Sequence, residues 1–212
     1  MEKKSFLWFI VTVLILIQCF IFLTYSVVNN GVDRLDQYVI DLVKPFETDF
    51  LTTVMKVFSY IGNTMPVIVI SLILLMIIYK IYKKWHEVVL FIVVLVGSTA
   101  INQALKFLIK RERPLSRLID EGGFSYPSGH TMAAVSLYGI ITFILWRHVK
   151  TATRRVMLIV FSCFMIIFIA ISRIYLGVHY TTDILGAFLV SGTWLYVTIW
   201  LYQYRIEKKH EE

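Results

Sequence analysis

Residues 87–109 read EVVLFIVVLVGSTAINQALKFLI. Apart from Glu87 at the start and Lys106 near the end, the stretch carries no charge. It is longer than the roughly 20 residues that an α-helix needs to cross a hydrocarbon layer of about 30 Å. It lacks the strict alternation of a half-buried strand. It reads as a membrane-spanning helix, so the chain is read with lipid as its solvent. Working outward, five more apolar runs follow the same rule, at 5–28, 64–82, 131–146, 156–176 and 182–202. The run at 131–146 is short and needs helical turns from its flanks to span. The composition agrees: 58% of the 212 residues are hydrophobic and the mean hydropathy is +0.73, above the usual range of soluble domains. The expected fold is an all-α membrane protein, one domain over 1–212, built as a bundle of six transmembrane helices. Between the first two spans, DRLDQYVIDLVK (33–44) places Leu35, Val39, Leu42 and Val43 at roughly helical spacing. It predicts a short amphipathic helix on the membrane surface.

The run at 5–28 exceeds a signal-peptide core of roughly 7–15 residues and no small-x-small cleavage site follows it, so it predicts a retained first helix. Cys19 and Cys163 both fall inside spans, which predicts buried thiols and no disulfide framework. Zinc-type Cys/His spacing is missing, and neither a metal nor an organic cofactor is expected. No internal repeat or low-complexity tract stands out. The net charge of +7 comes from cations dispersed over the loops. This pattern argues against nucleic acid as a partner and for the lipid bilayer. No obligate protein partner is inferred.

Six spans put both termini on one side. That side carries twelve of the 21 Lys and Arg but five of the 14 acids, so the whole net charge lies there. The excess of cations places it in the cytoplasm. The opposite, outer side nevertheless has five cations in the single loop that follows the third span: Lys106, Lys110, Arg111, Arg113 and Arg117. A loop that runs against the topological bias is a candidate for function.

Three clusters fall on this outer face. In KFLIKRERP (106–114), a third helix that continued to Arg113 would bring Lys106 and Arg113 onto one face, seven residues apart. Pro114 would then end it. In PSGH (127–130), Pro127 and Gly129 allow a tight turn and Ser128 can cap the helix that starts near His130. Free N–H groups at a helix start suit an anion, and His130 could give it a proton. In SRIYLGVHYTTD (172–183), Arg173 ends the fifth span, and His179 and Asp183 share a helix face at the start of the sixth. A carboxylate beside an imidazole fixes its tautomer and leaves the other ring nitrogen free as a nucleophile. Guanidinium and ammonium groups, free amides, two histidines and a carboxylate together suit a phosphate group. Each cluster alone also fits a bland role, as snorkelling cations, a helix cap or a structural His/Asp pair.

Together the three segments resemble the signature of the type 2 phosphatidic-acid phosphatase superfamily of membrane lipid phosphatases: K-x6-RP, PSGH and SR-x5-H-x3-D. They read here Lys106-x6-Arg113-Pro114, Pro127-Ser128-Gly129-His130 and Ser172-Arg173-x5-His179-x3-Asp183. The chain looks most like the small bacterial members. The resemblance implies a metal-independent hydrolysis of a terminal lipid phosphate. His179 would be the nucleophile of a phosphohistidine intermediate, and Asp183 would orient it. His130 would be the general acid and then the base. Lys106, Arg113, Arg173, Ser128 and Gly129 would bind phosphate. Phosphatidylglycerophosphate is the favoured substrate, with phosphatidic acid and undecaprenyl diphosphate as the others. The alternative from another class is a transporter or flippase that binds such a lipid without cleaving it.

Outside the signature, Asn102 and Gln103 suit helix–helix hydrogen bonding. Phe124 and Tyr126 suit an aromatic belt or lipid contact. His86, His148 and His210 read as bystanders on the cytoplasmic side.

Overall fold

Lipid offers backbone N–H and C=O groups no partner, so a chain of apolar runs closes its hydrogen bonds within helices. The computed structural model describes the backbone of residues 3–211 and the side chains of residues 4–205. Among these residues it has eight α-helices: α1 Lys3–Val28, α2 Asp33–Val43, α3 Asp49–Ile61, α4 Thr64–Tyr82, α5 Trp85–Ile109, α6 Gly129–His148, α7 Ala152–Tyr175 and α8 Thr181–Glu211. Six of them, α1 and α4 to α8, are long and apolar enough to cross a membrane. They match the six expected runs, and the short fourth run gains two residues at each end.

The helix in the middle is α6. It is the least apolar of the six and the most buried, whereas α1 is the most apolar and its spanning window has no buried residue. The two facts have one cause: α1 meets lipid and α6 meets protein. Around α6 lies a core of Phe91 and Val94 from α5, Leu137, Ile140 and Ile144 from α6, and Ile169 from α7. With no hydrophobic drive between helices in lipid, close approach does the holding. Thus α5 presents Gly97 to Trp194 of α8, where a Cβ would come within 2.2 Å of the indole ring. That indole N–H donates to the Val94 carbonyl at 3.0 Å.

Two helices do not span. The first, α2, is the expected amphipathic helix: Leu35, Tyr38 and Leu42 face out of the protein and Asp36 is buried. The second, α3, was not expected. Its 13 residues are too few to cross, and they lie between the expected surface helix and the second span. Thr48 caps it by accepting the Leu51 N–H at 3.3 Å. Met55 and Ser59 are its buried residues. The Tyr175 hydroxyl, at the C-terminal end of α7, ties it down through the Thr48 N–H at 3.1 Å and the Thr52 hydroxyl at 2.9 Å.

The structure corrects several expectations. Helix α5 stops at Ile109, four residues short of Arg113: Lys110 turns left-handed (φ 52°) and its N–H closes on the Lys106 carbonyl at 3.0 Å. Like charges at Lys106 and Lys110, one turn apart, oppose further winding. Cys19 and Cys163 are free and exposed, on helix surfaces that the reading as spans turns toward lipid. Tyr126 is fully buried, its hydroxyl on Thr24 at 3.0 Å, so it belongs to no aromatic belt. His148 is not a bystander: its Nε2 lies 2.8 Å from Glu87 Oε2, and its ring stacks on Tyr82 at 3.6 Å. His210 lies outside the described side chains.

Candidate active site

The site is built at one end of the bundle, where α5, α7 and the starts of α6 and α8 meet. The turn before α6 is held from two sides. Asn102, one turn from Lys106 on α5, donates to the Pro127 carbonyl at 3.0 Å, so it acts on the PSGH turn. The Ser128 N–H donates to the Asp183 carbonyl at 3.2 Å. Ser128 caps α6 as expected: its oxygen accepts from the Thr131 N–H at 3.5 Å and from the Thr131 hydroxyl at 3.1 Å. Its own hydroxyl proton remains available to a ligand. Gly129 begins α6 against Asn102, whose Oδ1 would lie 3.1 Å from a Cβ there. His130 follows, with Nε2 2.7 Å from Asn63 Oδ1 in the turn between α3 and α4.

His179 stands two residues before α8 and not on it. The turn that carries it passes through Gly177 at φ +67°, where a Cβ would strike the Ser116 carbonyl at 2.1 Å. Only glycine fits there. From this turn His179 Nδ1 reaches Asp183 Oδ2 at 3.2 Å, and Nε2 reaches Arg113 Nη1 at 3.2 Å. Arginine can only donate and a carboxylate can only accept. The proton therefore sits on Nδ1, and Nε2 presents its lone pair beside Arg113. His179 is buried, and burial, with Arg113 and Arg173 close by, lowers its pKa to about 4 against the opposing pull of Asp183. It is a neutral imidazole at physiological pH.

Arg113 reaches the site from the loop after α5. Carbonyls clamp its guanidinium: Val178 at 2.8 Å, Gly122 at 2.9 Å and Gly123 at 3.0 Å. Arg173, the last cation of α7, is fully buried. It donates to the Ser59 hydroxyl, and to Glu121 Oε2 at 2.6 Å, while its Nε has no partner. Lys106 lies within Coulombic range of Arg113, Arg173, Glu121 and Asp183. Every sequence-predicted site residue thus comes to one place: Lys106, Arg113, Ser128, Gly129, His130, Arg173, His179 and Asp183. Such a density of fixed donors suits an anion with several oxygens.

Three participants escaped the sequence reading. Glu121 puts a carboxylate where an anion would bind, on Arg173 and 3.8 Å from Arg113. Burial alone would raise its pKa, but Arg173 holds it below the usual carboxylate range. Arg111, taken as a snorkelling cation, bonds Asp183 at 2.6 Å and Asp36 at 2.7 Å. Asp36 is the buried residue of α2. No spacing rule signals these contacts.

A bundle of six spanning helices with an anion site at one end defines a class, and similarity places the chain within it. Residues 87–207 match the PAP2 superfamily, and the chain belongs to that family. It is 30% identical over 174 residues to phosphatidylglycerophosphatase B of Bacillus subtilis (strain 168), covering 80% of this chain and 84% of the relative. The crystal structure of a transmembrane PAP2-type phosphatidylglycerolphosphate phosphatase from Bacillus subtilis superposes with a TM-score of 0.83 at 27% identity, over 92% of this chain and 96% of that one. The Aquifex aeolicus LpxE crystal structure shares the fold, with a TM-score of 0.61 at 20% identity, over 78% of this chain and 94% of that one.

Proposed function

We propose that the protein removes the terminal phosphate of a membrane lipid through a phosphohistidine on His179. That it is a hydrolase of lipid phosphates follows from its family and its relatives. The mechanism and the substrate are our reading. The observation that carries it is the His179 tautomer, with Nδ1–H on Asp183 and an unprotonated Nε2 that accepts from Arg113.

In this reading Lys106, Arg113 and Arg173 hold the phosphate oxygens, with the Ser128 hydroxyl and the Gly129 N–H at the start of α6. Their charge stabilises the transition state. His179 Nε2 attacks phosphorus as the bond to the lipid oxygen breaks, and His130 gives that oxygen a proton. His130 then takes a proton from water, which attacks phosphorus and breaks the P–N bond. Inorganic phosphate leaves and neutral His179 returns. Asn63 fixes the His130 ring throughout. The spanning helices run unbroken and the cations stand at their ends, which supports hydrolysis over carriage through the midplane.

The substrate we favour is phosphatidylglycerophosphate, on the strength of the Bacillus subtilis relative. Phosphatidic acid and undecaprenyl diphosphate offer the same terminal phosphate on an apolar tail. We place the termini in the cytoplasm and the site on the outer face. Phosphate release from the three lipids, measured side by side with purified protein and a chelator present, tests the reading. Release above background with phosphatidylglycerophosphate fastest supports it, and no release from any of the three refutes it.

A further inference from the structure

Asp183 has two carboxylate oxygens, and one of them faces away from His179. Oδ2 takes the imidazole Nδ1–H at 3.2 Å and the Tyr180 N–H at 2.9 Å. Oδ1 is held from behind by Arg111 Nη1 at 2.6 Å. Arg111 is a fork: Nη2 reaches Asp36 Oδ2 at 2.7 Å, and Nη1 also reaches the Thr182 oxygen at 2.8 Å. Thr182 completes Asp36, donating its N–H to Oδ1 at 3.0 Å and its hydroxyl to Oδ2 at 2.6 Å. The guanidinium lies over the Tyr180 ring, 4.1 Å from its centre. The two carboxylates are buried, and the Arg111 side chain is 12% exposed.

The result is a buried chain of alternating charge, Asp36–Arg111–Asp183–His179, that runs from the surface helix α2 to the proposed nucleophile. We infer that Arg111 and Asp36 are positioning residues for His179: Arg111 locks the Asp183 carboxylate in the orientation that turns Nε2 toward the phosphate. Asp36 in turn offsets the charge of Arg111, so that Asp183 keeps its grip on the imidazole. This rests on His179 being the nucleophile.

Three arguments lead there. A buried arginine against one carboxylate would draw charge from it; a second carboxylate on the other arm of the fork restores the balance. A carboxylate bonded on one oxygen only could rotate, and a small misplacement of a reacting atom costs on the order of 10²-fold in rate. Finally, α2 turns its apolar Leu35, Tyr38 and Leu42 outward; Val43 at its end packs against the bundle, and Asp36 is its buried residue. A surface helix whose one buried residue is a carboxylate wired to the catalytic aspartate is part of the catalytic apparatus.

The test separates positioning from mere support by giving two variants opposite signs. Charged and titratable groups face His179 from every side: Arg113 and Glu121 from the loop, Lys106 from α5, His130 from α6, Arg173 from α7 and Asp183 from α8. None of them is altered. With ¹⁵N-labelled histidine in the full-length protein in detergent, the His179 signal, assigned by its loss in H179A, is titrated. Arg111→Gln removes a cation behind Asp183 and should raise the His179 titration by about one pH unit. Asp36→Asn removes an anion and should lower it by about half a unit. Trapping of labelled phosphoenzyme in a single turnover should slow about 10²-fold in Arg111→Gln and about tenfold in Asp36→Asn. KM should stay within about threefold, because neither residue is among the phosphate ligands. Arg111→Lys should restore the titration but only part of the rate, since an ammonium cannot fork. Two folded variants whose titrations move in the same direction, or not at all, would overturn the proposal. If Arg111→Gln does not fold, Asp36→Asn decides alone, by a downward shift or none. Normal turnover by H179A would instead sink the nucleophile reading, a separate outcome.

Discussion

The two ends of the bundle carry nearly the same inventory. At one end His179, Asp183, Arg111 and Arg113 meet; at the other, His148, Glu87 and Arg147 do. Both carboxylates are fully buried. The difference lies in what is left over. His148 turns Nε2 onto Glu87, 2.8 and 3.1 Å from its two oxygens, and its ring face is covered by Tyr82. Arg147 closes the group at 3.8 Å from Glu87 and lies against Phe143 and Tyr202. Nothing in that cluster points at a place for a ligand. At the other end His179 gives Nδ1 to its carboxylate and turns an unprotonated Nε2 to Arg113, and Arg173 retains an unpaired Nε. A buried histidine–carboxylate pair becomes a site when the cations around it outnumber their partners.

The sharpest way to break this contrast is to remove each histidine in turn. His179→Ala should cost roughly 10³-fold or more in phosphate release, as the loss of a covalent nucleophile does. His148→Ala should leave turnover within about threefold and instead destabilise the fold. It leaves Glu87 buried with a more distant partner, at a cost of roughly 3 kcal/mol, read as a lower thermal midpoint in detergent. If His148→Ala abolished turnover in a folded protein, the two ends would be coupled and the contrast false.

The eight candidate site residues could be named because each lies in a short segment of fixed spacing at the end of an apolar run. The six spans were legible for a similar reason, since lipid imposes a length and a polarity that a single sequence displays. Where the chain leaves the bilayer, that guidance stops. Arg113 lies beside His179 but off the helix expected for it, because the left-handed turn at Lys110 has no composition signal. Helix α3 hid because its 13 residues fit neither a span nor a turn. Arg111, Asp36 and Glu121 were illegible for a stronger reason. Asp36 meets Thr182 across 146 positions and Arg111 across 75, and no local pattern encodes a contact made by the closing of the bundle.

The next largest effect should come from Arg173. Its guanidinium spans Ser59 and Glu121 with two nitrogens, a geometry that an ammonium cannot reproduce. Arg173→Lys keeps the charge and loses the fork, so kcat/KM for the lipid phosphate should fall about 10²-fold. A loss below about threefold would mean that charge alone suffices, and the fixed-fork picture of the His179 end would be wrong. Smaller again is Glu121, whose carboxylate in our reading would compete with phosphate for Arg173 and Arg113. Glu121→Gln removes the competitor, and inorganic phosphate should inhibit about tenfold more tightly, equivalent to about 1.4 kcal/mol. Weaker inhibition would instead make Glu121 a support for Arg173 and no rival to the ligand.

The smallest effect is a spectroscopic one, and it tests the contrast without touching turnover. His179 accepts from Arg113 at Nε2, so its proton is on Nδ1; His148 faces a carboxylate with Nε2, so that nitrogen carries a proton. The ¹⁵N shifts should therefore show the His179 proton on Nδ1 with Nε2 unprotonated, and a proton on Nε2 of His148. The His179 signal should also stay fixed as the pH falls from 7 to about 5. Burial holds its pKa near 4, so the neutral, nucleophilic form persists above that value and is lost as the pH drops through it. A His179 signal that moved through pH 6–7, or an Nε2–H tautomer, would leave no lone pair beside Arg113, and the two ends of the bundle would then differ in their surroundings only.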